Sequence, residues 1–125
     1  MTIKKEEVVS LGIVLKTHPY KESDSLVTVY FKDYGKMTLI ARGVKKLKSK
    51  NASACQSLTL SEFTFIPRNG LSTMIKASSV DFYRYIKENL ELEAYASYFM
   101  EFILKNEEDN QPDLEIFDTL KKSLD

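Results

Sequence analysis

The hydrophobic pattern of this 125-residue chain changes its period near residue 81, and this change constrains the fold more than any other feature. Before it, apolar and polar residues alternate, as in residues 9–15 (VSLGIVL), which is the spacing of a half-buried β-strand. After it, apolar residues recur every three or four positions, which is the spacing of one helix face. The sequence therefore predicts an α+β protein with a β-domain at residues 1–80 and a helical domain at residues 81–125.

The β-domain contains five segments with strand character, separated by a polar break at residues 17–25 and by turn signals such as DYG and RNG. In the fourth segment the apolar phase changes near Ser61 and Glu62, which predicts a β-bulge. The longest interruption separates the third and fourth segments, where a five-stranded OB-fold barrel carries a helix or a long loop. The sequence therefore predicts such a barrel, with strands at residues 9–15, 26–31, 37–41, 57–66 and 71–80.

The helical domain contains one long apolar stripe and two weaker ones. Asp81 is a candidate cap for a short helix reaching Leu90, and Pro112 is suited to the first turn of a last helix. These stripes are too large for a few short helices to bury alone, so we expect them to pack on the barrel, on further sequence or on another chain. The stripe of the long helix comprises Leu92, Tyr95, Ala96, Phe99, Phe102 and Ile103, and that of the last helix comprises Leu114, Phe117 and Leu120 or Leu124.

Several kinds of protein are disfavoured by what the sequence lacks. A single cysteine, Cys55, allows no internal disulfide and no multi-cysteine zinc site, so we expect neither a metal nor a cofactor. No apolar run approaches the roughly 18 residues that span a bilayer, and no signal peptide is evident, which favours the cytoplasm. A hydrolytic site could combine His18 with Ser23 and Asp24, but hydrogen bonding within a turn explains the last two better.

The formal charge of zero conceals two oppositely charged halves, +7 over residues 1–80 and −7 over residues 81–125. Positive charge is concentrated in the basic segment, residues 42–50 (RGVKKLKSK), which contains no acidic residue. Such a segment is either a solvated loop or a binding site for nucleic-acid phosphates. On an OB-fold barrel the second interpretation is favoured, because neighbouring aromatic rings can stack on bases. The candidate phosphate-binding residues are Arg42, Lys45, Lys46, Lys48 and Lys50, extended by Lys16, Lys36 and Arg68, and the candidate stacking residues are Tyr20 and Tyr34.

The aromatic part of the long helix (YASYFMEF) has two interpretations. Most of its rings could belong to the core, or an open edge of the stripe could accept an apolar peptide from a partner. The candidate partner-binding residues are Tyr95, Tyr98, Phe99 and Phe102.

The ordered set GIVLKT, PYKESD, YGK and ARGVKK resembles the start of the RecO family of bacterial recombination mediators. LTLSEFTF and EAYASYFME are similar to later parts of that family, so the resemblance covers nearly the whole chain. It implies an OB-fold followed by a helical domain, with binding of single- and double-stranded DNA, annealing of complementary strands and no enzymatic activity. It also implies cooperation with RecR at the barrel, with the tail of the single-strand-binding protein SSB at the helices, and indirectly with RecA.

Members of that family are typically longer and often carry a Cys-rich zinc site, so the chain is expected to be an N-terminal portion or a shortened member. Two functional classes follow from the sequence. The chain is either a DNA-binding module or an adaptor whose basic segment contacts an acidic protein surface without binding DNA.

Overall fold

The computed structural model describes residues 6–42, 50–106 and 113–124. The order of elements is all β at first, with one short helix inserted before the fourth strand, and then all α. The elements are β1 (Val8–Tyr20), β2 (Asp24–Phe31), β3 (Gly35–Ala41), α1 (Lys50–Ala54), β4 (Leu60–Ile66), β5 (Ser72–Asp81), α2 (Arg84–Lys87), α3 (Leu90–Asn106) and α4 (Leu114–Leu124).

The five strands close into a barrel in the order β1-β2-β3-β5-β4. Long β1 makes closure possible, because one part of it pairs antiparallel with β2 and another part pairs antiparallel with β4. β3 and β5 pair in parallel, with Leu39 opposite Ser72 and Ile40 opposite Thr73. This mixed barrel followed by helices confirms the predicted α+β class and is consistent with an OB-fold.

β1 differs from its prediction because both faces of its central part, residues 12–15, are buried and because it is longer. Val14 points into the barrel, where it packs in the cluster that contains Phe31 and Phe65. Its neighbour Ile13 faces outward into a second cluster, and both side chains are fully inaccessible. The expected polar break begins later, since residues 17–20 pair with β2 and extend the strand to Tyr20. A half-buried strand was therefore the wrong prediction, because the helices cover the outer face that alternation alone assigns to solvent.

The predicted bulge is present near Ser61, but the extra residue belongs to the partner strand. Leu60 pairs with Asp81 whereas Ser61 pairs with Ser79, so Val80 of β5 has no partner in β4. β4 itself alternates regularly, with Leu60 in the outer cluster and Phe63 in the inner one. The apolar phase of β4 changes because its large apolar side chains lie on the outer face at Leu60 and on the inner face from Phe63 onward. The extra twist that the bulge gives to β5 helps a short sheet to close.

Side-chain caps begin α3 and α4 but not α2. The N-cap of α2 is Tyr83, which makes no capping hydrogen bond through its side chain, so the expectation that Asp81 caps this helix was wrong. Asp81 instead accepts a 2.7 Å hydrogen bond from the N–H of Tyr83 itself, and α2 ends at Lys87 rather than reaching Leu90 as expected. Asn89 accepts a 3.1 Å hydrogen bond from the N–H of Leu92 and so caps α3. Asp113 caps α4 through the N–H groups of residues 115 and 116, whereas Pro112 lies outside the described residues.

The outer cluster fixes α3 and α4 against the barrel. The predicted apolar positions of α4 are buried there at Phe117, Leu120 and Leu124. α3 buries Ile103 of its predicted stripe together with Met100, which was not part of it. The prediction was wrong for Leu92, Tyr95 and Phe102, which face solvent. The apolar arc of α3 is wider than the arc that the barrel covers, and this leaves a second apolar strip exposed.

Candidate nucleic-acid interface

The basic segment leaves the barrel from a rigid point. Ala41, the last residue of β3, is buried and pairs with Ser25, and the next residue, Arg42, is exposed in a turn. Lys45, Lys46 and Lys48 lie outside the described residues, and Lys50 is the first residue of α1. The structure therefore describes where this segment begins and ends, and the exposed guanidinium of Arg42 at its start.

The far end of the basic segment is anchored through α1. Ala54 and Cys55 are buried in the inner cluster, and the carbonyl oxygen of Ala54 accepts a 2.8 Å hydrogen bond from the Ser61 hydroxyl. The Cys55 thiol lies 3.6 Å from the Met74 sulfur, and burial raises its pKa to about 12. Cys55 is therefore protonated and chemically quiet, and its role is to fix the end of α1 to β5.

Strand register separates the remaining candidates into two groups at opposite ends of the barrel. Tyr20 pairs with Asp24 beside the Ser25–Ala41 pair, so Tyr20 and Arg42 lie at the same end. Tyr34 and Lys36 lie at the β2–β3 turn, which is at the other end. These two groups therefore do not form one continuous patch.

The two tyrosines also differ in their surroundings. Tyr20 is half-exposed, and the ammonium of Lys21 lies 5.2 Å from its ring centroid. Tyr34 packs edge-on against Phe65 at 5.6 Å and against Phe31 at 6.4 Å, so much of its ring belongs to the inner cluster. Tyr20 therefore has the more accessible ring for stacking.

The flanking cations also occupy different environments. Lys16 is exposed in β1. Arg68 is exposed and donates a 3.2 Å hydrogen bond from Nε to the hydroxyl of Thr73, whose strand partner Ile40 precedes Arg42 by two residues. Lys36 is half-buried and donates from Nζ to a main-chain carbonyl of α3. Lys16 and Arg68 can therefore reach a phosphate more freely than Lys36 can.

The aromatic candidates of α3 form a strip on its solvent side. The exposed fractions of Tyr95, Tyr98 and Phe102 are 69%, 77% and 58%, at positions spaced by three and four residues. Phe99 is half-buried and packs on the outer cluster at the edge of this strip. The structure thus brings three of the four candidates together as exposed rings.

Lys87 was missed by the sequence analysis. It is half-buried, its Nζ donates a 3.1 Å hydrogen bond to the hydroxyl of Thr59, and it lies 5.7 Å from the centroid of the Phe82 ring. Burial lowers its pKa, an effect that the charges of Asp81 and Glu93 oppose. The sequence contains one indication of this position. Tyr83, Ile86 and Lys87 occupy positions i, i+3 and i+4, which is the spacing of a buried helix face.

The proposed hydrolytic set receives no geometric support. His18 is exposed in β1, and the Ser23 hydroxyl is directed to Asp24 at 3.5 Å, as in a local turn contact. Within residues 6–42, 50–106 and 113–124, no group of three or more His, Cys, Asp or Glu side chains could hold a metal ion. None of the described helices combines the length and the hydropathy that crossing a bilayer requires.

Comparison with known proteins identifies the family. Residues 5–83, which include the whole barrel, match the family described as the N-terminal part of recombination protein O. The chain belongs to the RecO family. This confirms the resemblance found in the sequence, and the RecO family is one of non-enzymatic recombination mediators.

The similarity extends beyond the barrel into α3. The chain is 38% identical over 101 residues to DNA repair protein RecO of Listeria monocytogenes serotype 4a, which covers 81% of this chain and 40% of that protein. It is 34% identical over 113 residues to DNA repair protein RecO of Bacillus cytotoxicus, which covers 90% of this chain and 46% of that protein. The chain thus spans less than half the length of these RecO relatives.

Proposed function

We propose that this chain is the DNA-binding module of a recombination mediator, with affinity for single- and double-stranded DNA. The main structural support is that both ends of the basic segment are fixed to a closed barrel, one by buried Ala41 and the other by buried Ala54. The barrel holds both ends of a cationic segment in place, and its lysines can neutralise phosphates. The names of the RecO relatives, which are DNA repair proteins, support the same role.

The contacts are electrostatic and independent of base sequence. Lysine and arginine side chains neutralise phosphates and release counterions, which contributes most of the non-specific affinity. Lys16 and Arg68 extend this surface, and the half-exposed ring of Tyr20 stacks on unpaired bases. Lys36 and Tyr34 contribute less, because they lie at the other end of the barrel, where Lys36 is engaged by α3 and the Tyr34 ring packs in the inner cluster. The residues that neutralise phosphates directly are Arg42, Lys45, Lys46, Lys48 and Lys50.

Strand annealing follows from the same contacts. A protein that neutralises two phosphate backbones lowers their mutual repulsion and leaves the base edges free to pair. In this role the module would help to load recombinase RecA together with RecR and SSB, in the cytoplasm where bacterial DNA lies. The exposed strip of Tyr95, Tyr98 and Phe102, with Phe99 at its edge, offers an apolar surface for a partner peptide such as the SSB tail.

The test is fluorescence anisotropy with labelled single- and double-stranded oligonucleotides at low salt. Changing Lys45, Lys46, Lys48 and Lys50 to Glu reverses the charge of the basic segment. The matched control reverses four exposed charges elsewhere, at Lys32, Lys76, Arg84 and Lys122. We expect the first variant to lose at least about tenfold more affinity than the control. Equal losses in the two variants would contradict a role for this segment.

A second candidate function is that of a protein-interaction adaptor, which the exposed aromatic strip of α3 favours. In that case the basic segment meets an acidic surface of RecR or of the SSB tail, and the chain itself binds DNA negligibly. The same assay separates the two functions. Absence of wild-type DNA binding at low salt would support the adaptor and exclude the DNA-binding module.

A further inference from the structure

A cleft of about 560 Å³ lies between the outer face of the barrel and α3. Its volume is in the range of sites that bind small molecules or single chemical groups of a larger ligand. Leu15, Leu58 and Met100 are nearly inaccessible and form an apolar floor. Exposed residues such as Lys16 and Ser97 form the rim. The cleft therefore offers an apolar surface below a polar opening.

Lys87 lines this cleft with an incompletely satisfied ammonium group. Of its three N–H donors, one is directed to Thr59, which is fully buried. Among the described residues, no carboxylate forms an ion pair with Lys87, although Asp81 and Glu93 favour its charge through space. The ammonium also lies 5.7 Å from the centroid of the Phe82 ring, which stabilises part of its charge, and its remaining donors can bind an anion. An anionic group that enters the cleft would supply the missing acceptor.

We propose that the cleft binds one nucleotide unit of a DNA single strand, with a phosphodiester at Lys87 and Lys16 and the base on the apolar floor. This inference rests on the proposed DNA-binding function and adds a specific contact to it. Base faces pack on apolar side chains, and hydroxyl and amide groups can hydrogen-bond their edges. The cleft provides such groups at Gln56, Ser57 and Ser97.

The wall formed by α3 favours a base over an acidic peptide. Glu101 lies 3.5 Å from the ammonium of Lys105, so its charge is partly balanced. Glu93 has no such ion pair among the described residues and faces the cleft. The amino groups of cytosine and adenine can donate to a carboxylate such as Glu93, whereas the carboxylate side chains of an acidic peptide offer it no N–H donor.

The decisive experiment follows the methyl resonance of Met100 by NMR while the full chain is titrated with an eight-nucleotide single strand. We expect this resonance to shift, and we expect inorganic phosphate alone at the same concentration to leave it unchanged. Ser97→Phe should fill the cleft from an exposed helix position, abolish the shift and weaken single-strand affinity about threefold or more. The matched control, Ser78→Phe on β5, should preserve both.

Lys87→Met provides a second variant that keeps the volume of the side chain and removes the charge. It should weaken single-strand binding more than Lys76→Met, which removes an exposed charge outside the cleft. Double-stranded DNA, whose bases are paired, should leave the Met100 resonance unchanged.

Two outcomes would overturn the inference. One is single-strand binding by the wild type that leaves the Met100 resonance unshifted. This result would exclude the cleft as a nucleotide site but would still agree with the proposed DNA-binding module. The other is a shift produced by an aspartate-rich peptide and not by DNA, which would assign the cleft to a protein partner. Failure of the proposed function itself would be seen differently, as absence of any single-strand binding.

Discussion

The ammonium of Lys36 donates a hydrogen bond of 2.9 Å to the main-chain carbonyl oxygen of Leu104. Leu104 lies in the last turn of α3, where carbonyl groups lack partners within the helix and where a positive charge is favourable. Lys36 belongs to β3, so this bond joins the barrel to the C-terminal end of the long helix. It adds a polar contact to the outer cluster, in which Met100 and Ile103 pack against the barrel.

Lys36→Met should loosen α3 without unfolding the barrel. Because the bond involves a charged donor and a helix end, we expect a loss of about 1–2 kcal/mol in the free energy of unfolding. Hydrogen exchange should become faster in the last turns of α3 and change little in β2. Lys32→Met, which removes an exposed charge two residues before Tyr34, serves as the control. Unchanged exchange in α3 would show that Lys36 does not hold the helix.

Gly12 leaves room for the side chains of Val29 and Phe31 inside the barrel. A Cβ atom at this position would lie 2.3 Å from Cγ1 of Val29 and 2.9 Å from Cδ1 of Phe31. Gly12→Ala should therefore destabilise the fold by about 1–3 kcal/mol through overpacking, as measured by denaturant unfolding.

Gly70 provides the comparison for this substitution. It has a φ of +84°, and a Cβ there would meet nothing within 4 Å, so Gly70→Ala should lose about 1 kcal/mol from backbone strain alone. A smaller effect at Gly12 than at Gly70 would argue against the packing described for the barrel interior.

Much of the barrel could be predicted from the sequence, because alternation and turn residues are local signals. The burial of both Ile13 and Val14 could not, since it depends on helices that arrive from later in the chain. The bulge was predicted in the fourth strand but lies at Val80 in the fifth, because register is set by pairing rather than by one segment. The cleft and Lys87 were missed for the same reason, as they form only where α2 and α3 dock on β1.

Cys55 should be unreactive in the folded protein. Burial raises its thiol pKa from 9.0 to about 12, so the folded state retains a proton that the unfolded state releases above pH 9. The stabilising contribution of this thiol is therefore complete below pH 9 and is lost as pH rises from 9 towards 12. Labelling with a thiol reagent at pH 8 should be slow in buffer and fast in denaturant. Rapid labelling of the native protein would show that α1 is not held against Met74.

The central claim is that the basic segment gives the chain a sequence-independent affinity for DNA, and the salt dependence of single-strand binding tests it most directly. With about five phosphates contacted, the slope of log K against log salt concentration should be near −3.5. Changing Lys45, Lys46, Lys48 and Lys50 to Gln should reduce the magnitude of this slope by about 2.8, because each lost phosphate contact is worth about 0.7. A wild-type slope near zero, or a slope that these four substitutions leave unchanged, would contradict the account.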